Sequence, residues 1–365
     1  MDCAETLLQM ASPYPTFDYD WIVVGSGFGG SVAALRLAEK GYRVAVLEAG
    51  RRFRDEDFPG TGWNRRGLYR VTALGMAGPM RLTLTRDLFI ATGAGVGGGS
   101  LVYGNTLFRP RPSFFENPQW ASMQDWAALL EPHYATAERM LGCRDRARHT
   151  LAKNYLWFAE RAGATIVPET KVTHLRSLDG MAGNEGYLVQ AKRSTAWFGG
   201  TDRTFRARGV VIAAGALGTN LLLAQCRLLG GLPNVSPRLG QLVRTNTEST
   251  PAVKQPPDHA LSFAAKRGLF GGVRLTMKQD PGRPDPTFNC ATANDPFTTH
   301  ILGGAVIGRD ADSGVVDRDG RVFGYHHLII CDGSILPANP GVNPSLTITA
   351  LAEHIMTTVP AKPAD

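Results

Sequence analysis

Gly25, Gly27 and Gly30 stand at GxGxxG spacing within the run Gly25-Ser26-Gly27-Phe28-Gly29-Gly30, and Glu48 follows 18 residues after Gly30. These residue types at these distances suit the binding of a dinucleotide. Gly25 permits a tight turn, Gly27 admits backbone close to a pyrophosphate, and Gly30 lets a helix lie close to a strand. A helix starting here offers unpaired N–H groups and partial positive charge to the diphosphate. A carboxylate at Glu48 accepts hydrogen bonds from ribose hydroxyls and disfavours a 2′-phosphate, so NADP is not expected. NAD and FAD both present an ADP half, and the spacing does not separate them.

A second cluster holds Gly93, Gly95, Gly97, Gly98 and Gly99, then Ser100, Leu101, Val102, Tyr103 and Gly104. A turn does not need so many glycines. Backbone laid against a flat ring or a diphosphate does, because Cβ atoms would hold the two apart. Near the C-terminus, Asp332 and Gly333 end an apolar run at 328–331, where open α/β sheets place their ligands. Asn343, Pro344 and Ser345 read as a helix start, with Asn343 as N-cap and Pro344 in the first position. The positive end of that helix, aimed at a flavin, would stabilise negative charge on the reduced ring. His300 precedes Asn343 by 43 residues, so spacing alone does not join them. A lone histidine is more often a hydrogen-bonded core residue than a base. His326-His327 reads as a surface turn.

The elements that must position these residues follow from pattern. Residues 20–24, DWIVV, form a buried strand, a helix with apolar Ala34, Leu37 and Ala38 follows, and Gly41 stops it. A second strand at 43–47 ends in Glu48, completing a βαβ unit. Helices are expected at 118–141, 154–162, 219–228 and 343 to about 356, with strands at 164–167 and 328–331 and a strand meander over 169–215. Residues 251–299 hold seven prolines and little periodicity, which reads as a lid or a shortened second domain.

Composition bounds the rest. The 365 residues are 43% hydrophobic, with a net charge of +7 and no basic block long enough for a nucleic-acid arm. Five scattered cysteines without a CxxC pair argue against a disulfide framework or a zinc site and for a reducing compartment. No HxxxH or His/Asp cluster supports a metal. The first twenty residues lack the charge pattern of a signal peptide, and no stretch approaches transmembrane length, so a cytoplasmic, soluble protein is expected.

Four blocks carry a family likeness: VVGSGFGGSVAALRLAEKGYRVAVLEAG, GAGVGGGSLVYGNTLF, VVIAAGALGT with LGQLVRTN, and HILGG through NPSLTITALAEH. With them the chain resembles the glucose-methanol-choline (GMC) oxidoreductases, in their cholesterol oxidase-like branch. The resemblance implies an α/β fold: a Rossmann-type FAD/NAD(P)-binding three-layer domain with a reduced second (substrate or cap) domain. The nucleotide-binding domain would be discontinuous (15–110, 160–250 and 300–365), with 111–159 and 251–299 as the cap region. FAD rather than NAD is implied, with Phe28, Gly29 and Glu48 on the ADP half and Val172 at the adenine end. Gly98, Gly99, Ser100, Tyr103 and Gly104 would lie along the diphosphate and ring, and Asp332, Gly333, Asn343, Pro344 and Ser345 near the isoalloxazine. His300 and Asn343 would handle the hydroxyl of a hydrophobic alcohol, with a sterol as one candidate, and electrons would pass to oxygen or another acceptor. An NAD-dependent dehydrogenase would leave the second glycine cluster unexplained. A flavin-binding module that has lost catalysis is the other reading, because relatives are longer, their substrate domain is reduced here to 251–299, and no carboxylate base can be assigned there. Ala305 also stands where many relatives have Cys.

Overall fold

The computed structural model describes residues 16–58, 65–71, 74–85, 89–142, 150–195, 201–245 and 297–363. It divides into one large unit (1–82, 92–246 and 300–365) and a small one (83–91 and 247–299). Most of the expected cap at 251–299 lies outside the described residues.

In chain order, the large unit begins with β1 (Tyr19–Val24), α1 (Phe28–Glu39) and β2 (Val44–Leu47). After single-turn α2 (Arg65–Leu68) come short strands β3 (Tyr69–Val71), β4 (Met76–Ala77) and β5 (Met80–Leu84). β6 (Phe89–Gly93) leads into the second glycine cluster, and single-turn α3 (Pro112–Phe115), α4 (Trp126–Leu141) and α5 (Tyr155–Arg161) follow. Next come β7 (Thr165–Val167), β8 (Thr170–Ser177), β9 (Tyr187–Arg193), β10 (Asp202–Ile212) and α6 (Gly215–Leu228). β11 (Gln241–Arg244), β12 (Phe297–Thr298), β13 (Leu302–Gly304), β14 (Leu328–Ile330) and α7 (Ser345–Thr357) complete the described elements. In the small unit, Phe89 and Ile90 pair in parallel with Phe297 and Thr298.

The central sheet runs β7-β2-β1-β10-β9-β8, with β14 also on β10. β10 is the pivot. Its first half pairs antiparallel with β9, and its second half lies parallel between β1 and β14. The parallel strands β1, β2 and β14 are buried almost throughout, as strands covered on both faces must be. The expected βαβ unit and the 169–215 meander are therefore both present.

Three expected helix starts moved by two residues or more. The 118–141 helix starts only at Trp126, because Asp125 accepts the Ala128 N–H and caps it there. Before it, Trp120 stacks on Trp126 at 4.5 Å within a series of turns. The 219–228 helix starts earlier, at Gly215, and α7 starts at Ser345 with Pro344, not Asn343, as its N-cap. Residues 111–159, expected with the cap, fall in the large unit, where α4 packs on α7.

A buried polar knot ties α1, α5 and α7. Glu353, 4% exposed, accepts two hydrogen bonds from Arg36 (2.7 and 2.8 Å) and one from the Tyr155 hydroxyl (2.7 Å). Glu353→Gln removes the charge and leaves Glu39 as the one carboxylate bonded to Arg36 among the described residues. Hydrogen bonds to charged groups contribute about 1.5–3 kcal/mol, so urea unfolding should show a loss of about 2 kcal/mol.

His133 on α4 meets His354 on α7 edge-on, with ring centroids 5.5 Å apart. Burial holds both imidazoles below the ordinary histidine value; beside His354, the His133 ring adds to this and Asp319 opposes it. A base with a depressed folded pKa is protonated more readily in the unfolded chain. The stability it contributes is present above about pH 6.5 and is lost as acid takes it down toward the folded pKa. The melting temperature should therefore fall as the pH drops below about 6.5, and His354→Gln should flatten that slope; an unchanged slope would remove these histidines as its cause.

Candidate active site

The first glycine run is built by contact. A Cβ on Gly29 would lie 1.5 Å from the Cys331 carbonyl oxygen, and one on Gly30 would lie 2.1 Å from the Gly25 oxygen. Gly25 takes φ +99, a conformation glycine adopts without strain. Gly27 is different: a Cβ there would meet nothing within 4 Å. Gly27 is the N-cap of α1, and the N–H groups of Phe28, Gly29 and Gly30 have no acceptor one turn back. Donors and open space meet at this point.

The second glycine cluster comes to the first. A Cβ on Gly98 would sit 2.7 Å from the Gly27 Cα, and one on Gly99 would sit 3.3 Å from the Phe28 ring. Tyr103 packs edge-on against Phe28, with centroids 5.5 Å apart, and its hydroxyl donates to Asn105. Gly98 and Gly99 are half-buried and Gly104 is exposed. Ser100 turns inward: its hydroxyl donates to the Gly97 carbonyl (2.7 Å) and accepts from the Leu151 N–H (2.9 Å).

Glu48 sits at the end of β2, 7% exposed. Its Oε1 accepts the Gly50 N–H (2.7 Å), and its Oε2 accepts the N–H (3.0 Å) and hydroxyl (2.6 Å) of Ser26. The Glu48 carbonyl takes the Thr170 N–H (2.8 Å), which anchors the start of β8, two residues before Val172. The register of β8 against β9 shifts between Val172 and His174.

The C-terminal residues complete the arrangement. The Cys331 carbonyl lies on Gly29. Asp332, at the next position, accepts from the Thr219 hydroxyl (2.6 Å), the Gly215 N–H (2.9 Å) and the Ser334 N–H (2.8 Å). Burial pushes its carboxyl above the ordinary value, and these hydrogen bonds oppose the shift. A Cβ on Gly333 would meet Leu302 at 2.9 Å, Ile348 at 3.2 Å and the Ile301 oxygen at 3.7 Å. So the strand following His300, the end of β14 and the first turn of α7 close on Gly333. His300 and Asn343 are both half-buried in the loops entering β13 and α7. Asn343 does not cap α7, and its carboxamide has no partner among the described residues. Pro344 and Ser345 are buried at the start of α7, where Ser345 accepts the Thr349 hydroxyl.

Sequence reading missed Ser26 and Thr219. Each is small, polar and fully buried, and each acts on a carboxylate 22 or 113 residues away. Only the bonding shows their part.

Comparison with known proteins bears on this geometry. The chain is 31% identical to a cholesterol oxidase of Acinetobacter baumannii, with 95% of each protein covered. It is 32% identical to a cholesterol oxidase of Mycobacterium tuberculosis, covering 94% of this chain and 92% of that protein. The chain belongs to the GMC oxidoreductases. It is of their cholesterol oxidase-like branch, and so an alcohol oxidoreductase. A family model described as GMC oxidoreductase matches residues 243–352, and one described as NAD(P)-binding Rossmann-like domain matches 23–63. In fold it is similar to pyridoxine 4-oxidase from Mesorbium loti (TM-score 0.61, 16% identity, 93% of this chain and 98% of that one). The alignment with the first relative spans 528 positions against 365 residues here, so that cholesterol oxidase carries long stretches without a counterpart in this chain. No helix among the described residues is long and apolar enough to cross a membrane.

Proposed function

We propose that the chain binds FAD along the joined glycine runs and oxidises the CH–OH group of a hydrophobic alcohol, with a sterol as the first candidate. The contact of Gly98 with Gly27 carries this reading, because it brings two distant glycine-rich backbones to one open helix N-terminus. The residues fit the cofactor. Gly27 and the first N–H groups of α1 suit a diphosphate, Glu48 suits the ADP ribose, and the backbone near Val172 suits the adenine end. Gly98, Gly99, Ser100, Tyr103 and Gly104 would follow the diphosphate and ring, with Ser100 contributing backbone because its hydroxyl is already used. Gly333, Pro344 and Ser345 would border the isoalloxazine, while Asp332 fixes the turn at Gly333 by accepting the Ser334 N–H.

When bound, FAD supplies an acceptor for the hydride that leaves the alcohol carbon. The chain does the rest. His300 takes or orients the hydroxyl proton, since carbon releases hydride only as that proton departs. Asn343 offers its uncommitted carboxamide to the substrate oxygen. Oxygen is the natural final acceptor by analogy with the named oxidases.

A second reading, a flavin-binding module without turnover, draws on the long stretches that have no counterpart here. Both readings require a yellow protein. They part on the absorption spectrum before and after anaerobic addition of cholesterol and of a panel of primary and secondary alcohols. Bleaching supports the oxidoreductase; persistent colour across the panel supports the module; a colourless protein that takes up no FAD defeats both.

A further inference from the structure

Resting on the FAD reading, we infer that Ser26 is a positioning residue whose hydroxyl couples the ribose carboxylate to the second glycine cluster. Ser26 is 0% exposed. Its Oγ donates to Glu48 Oε2 at 2.6 Å, accepts from the Gly97 N–H at 3.0 Å, and has the Gly95 carbonyl oxygen 3.3 Å away as a second acceptor. One hydroxyl proton serves one acceptor at a time, and the shorter bond to the charged oxygen holds it.

The count of acceptor sites gives this bond its consequence. A carboxylate offers about four lone-pair sites. Three of them are taken on Glu48, by the Gly50 N–H and by the N–H and O–H of Ser26. A ribose diol brings two donors. Both can reach Glu48 only if Ser26 swings its O–H to Gly95, a rotation about one bond that leaves Gly97 N–H still bonded to Oγ. No bond to carbon forms or breaks, and each donor keeps an acceptor throughout. Ribose occupancy is thereby transmitted to residues 95–97, next to the Gly98 backbone that touches Gly27. Alanine at position 26 would leave the Gly97 N–H buried without its partner and would free a Glu48 acceptor site at the expense of that link.

A double-mutant cycle tests this on the full-length protein, stripped of flavin and titrated with FAD and, separately, with FMN, which lacks the ADP ribose. Ser26→Ala should weaken FAD about tenfold while changing FMN less than about twofold. In a Glu48→Gln background the same change should add little. Equal losses for FAD and FMN, or fully additive losses in the cycle, would overturn the inference. Should Ser26→Ala not fold, hydrogen exchange on the parent protein serves instead. ADP should slow exchange across 95–97 and 2′,3′-dideoxy-ADP should not; equal effects of the two overturn it. A parent that takes up no FAD sinks the flavin reading itself, whereas a parent that binds FAD with Ser26→Ala unaffected sinks only this inference.

Discussion

His300→Ala should slow anaerobic bleaching of the bound flavin by an alcohol about 10²–10⁴-fold, the usual worth of general-base assistance. The effect belongs on the reductive step because the hydroxyl proton must leave before or with the hydride. The flavin spectrum of the oxidised variant should stay as in the parent, since His300 lies in the loop before β13 and not in either glycine run. Folding should change little, because the side chain is only half-buried. Single-turnover stopped-flow with the same alcohol separates binding from chemistry. A variant that bleaches as fast as the parent would show that His300 does not handle the proton.

Gly29→Ala should unfold or badly weaken the protein, whereas Gly27→Ala should fold and lose cofactor. At Gly29 the new methyl would sit 1.5 Å from the Cys331 oxygen, a backbone atom fixed by the sheet. Overpacking costs typically about 1–3 kcal/mol where side chains can yield; here none can, so about 3 kcal/mol or more is expected. At Gly27 the methyl meets no protein atom and would occupy the space assigned to the diphosphate. Thermal melting of the stripped variants, alongside FAD titration, separates the two. If Gly27→Ala bound FAD like the parent, the diphosphate would have to lie elsewhere.

Much of this site was legible because its parts are local. Strand, glycine run, helix and Glu48 fall within 30 residues (19–48), and each element follows from apolar period and turn chemistry. The second glycine cluster was legible as a density, and the structure supplied its partner. What escaped was set by long-range bonding. α6 begins four residues before its expected start because Asp332, far along the chain, takes the Gly215 N–H and the Thr219 hydroxyl. Asn before Pro is a common helix start and predicts Asn343 as the cap; Pro344 takes that place instead, and the amide is left for other work. The 118–125 stretch has helical apolar spacing, yet stacked tryptophans and the Asp125 cap settle it as turns. Ser26 could have been marked only as the variable position of a GxGxxG run.

The pivot strand β10 has an implication for synthesis. β14 pairs with it more than a hundred residues later, at Val210–Ile212 against Leu328–Ile330, and the Cys331 carbonyl then closes on Gly29. While the chain is still emerging from the ribosome, α1 has no wall behind its glycine face and one flank of β10 stays open, an edge prone to mispairing. Nascent protein should therefore gain its grip on nucleotide late and abruptly, when β14 and α7 dock, and a stall anywhere in the hundred residues before β14 would leave a half-built cradle for chaperones to shield.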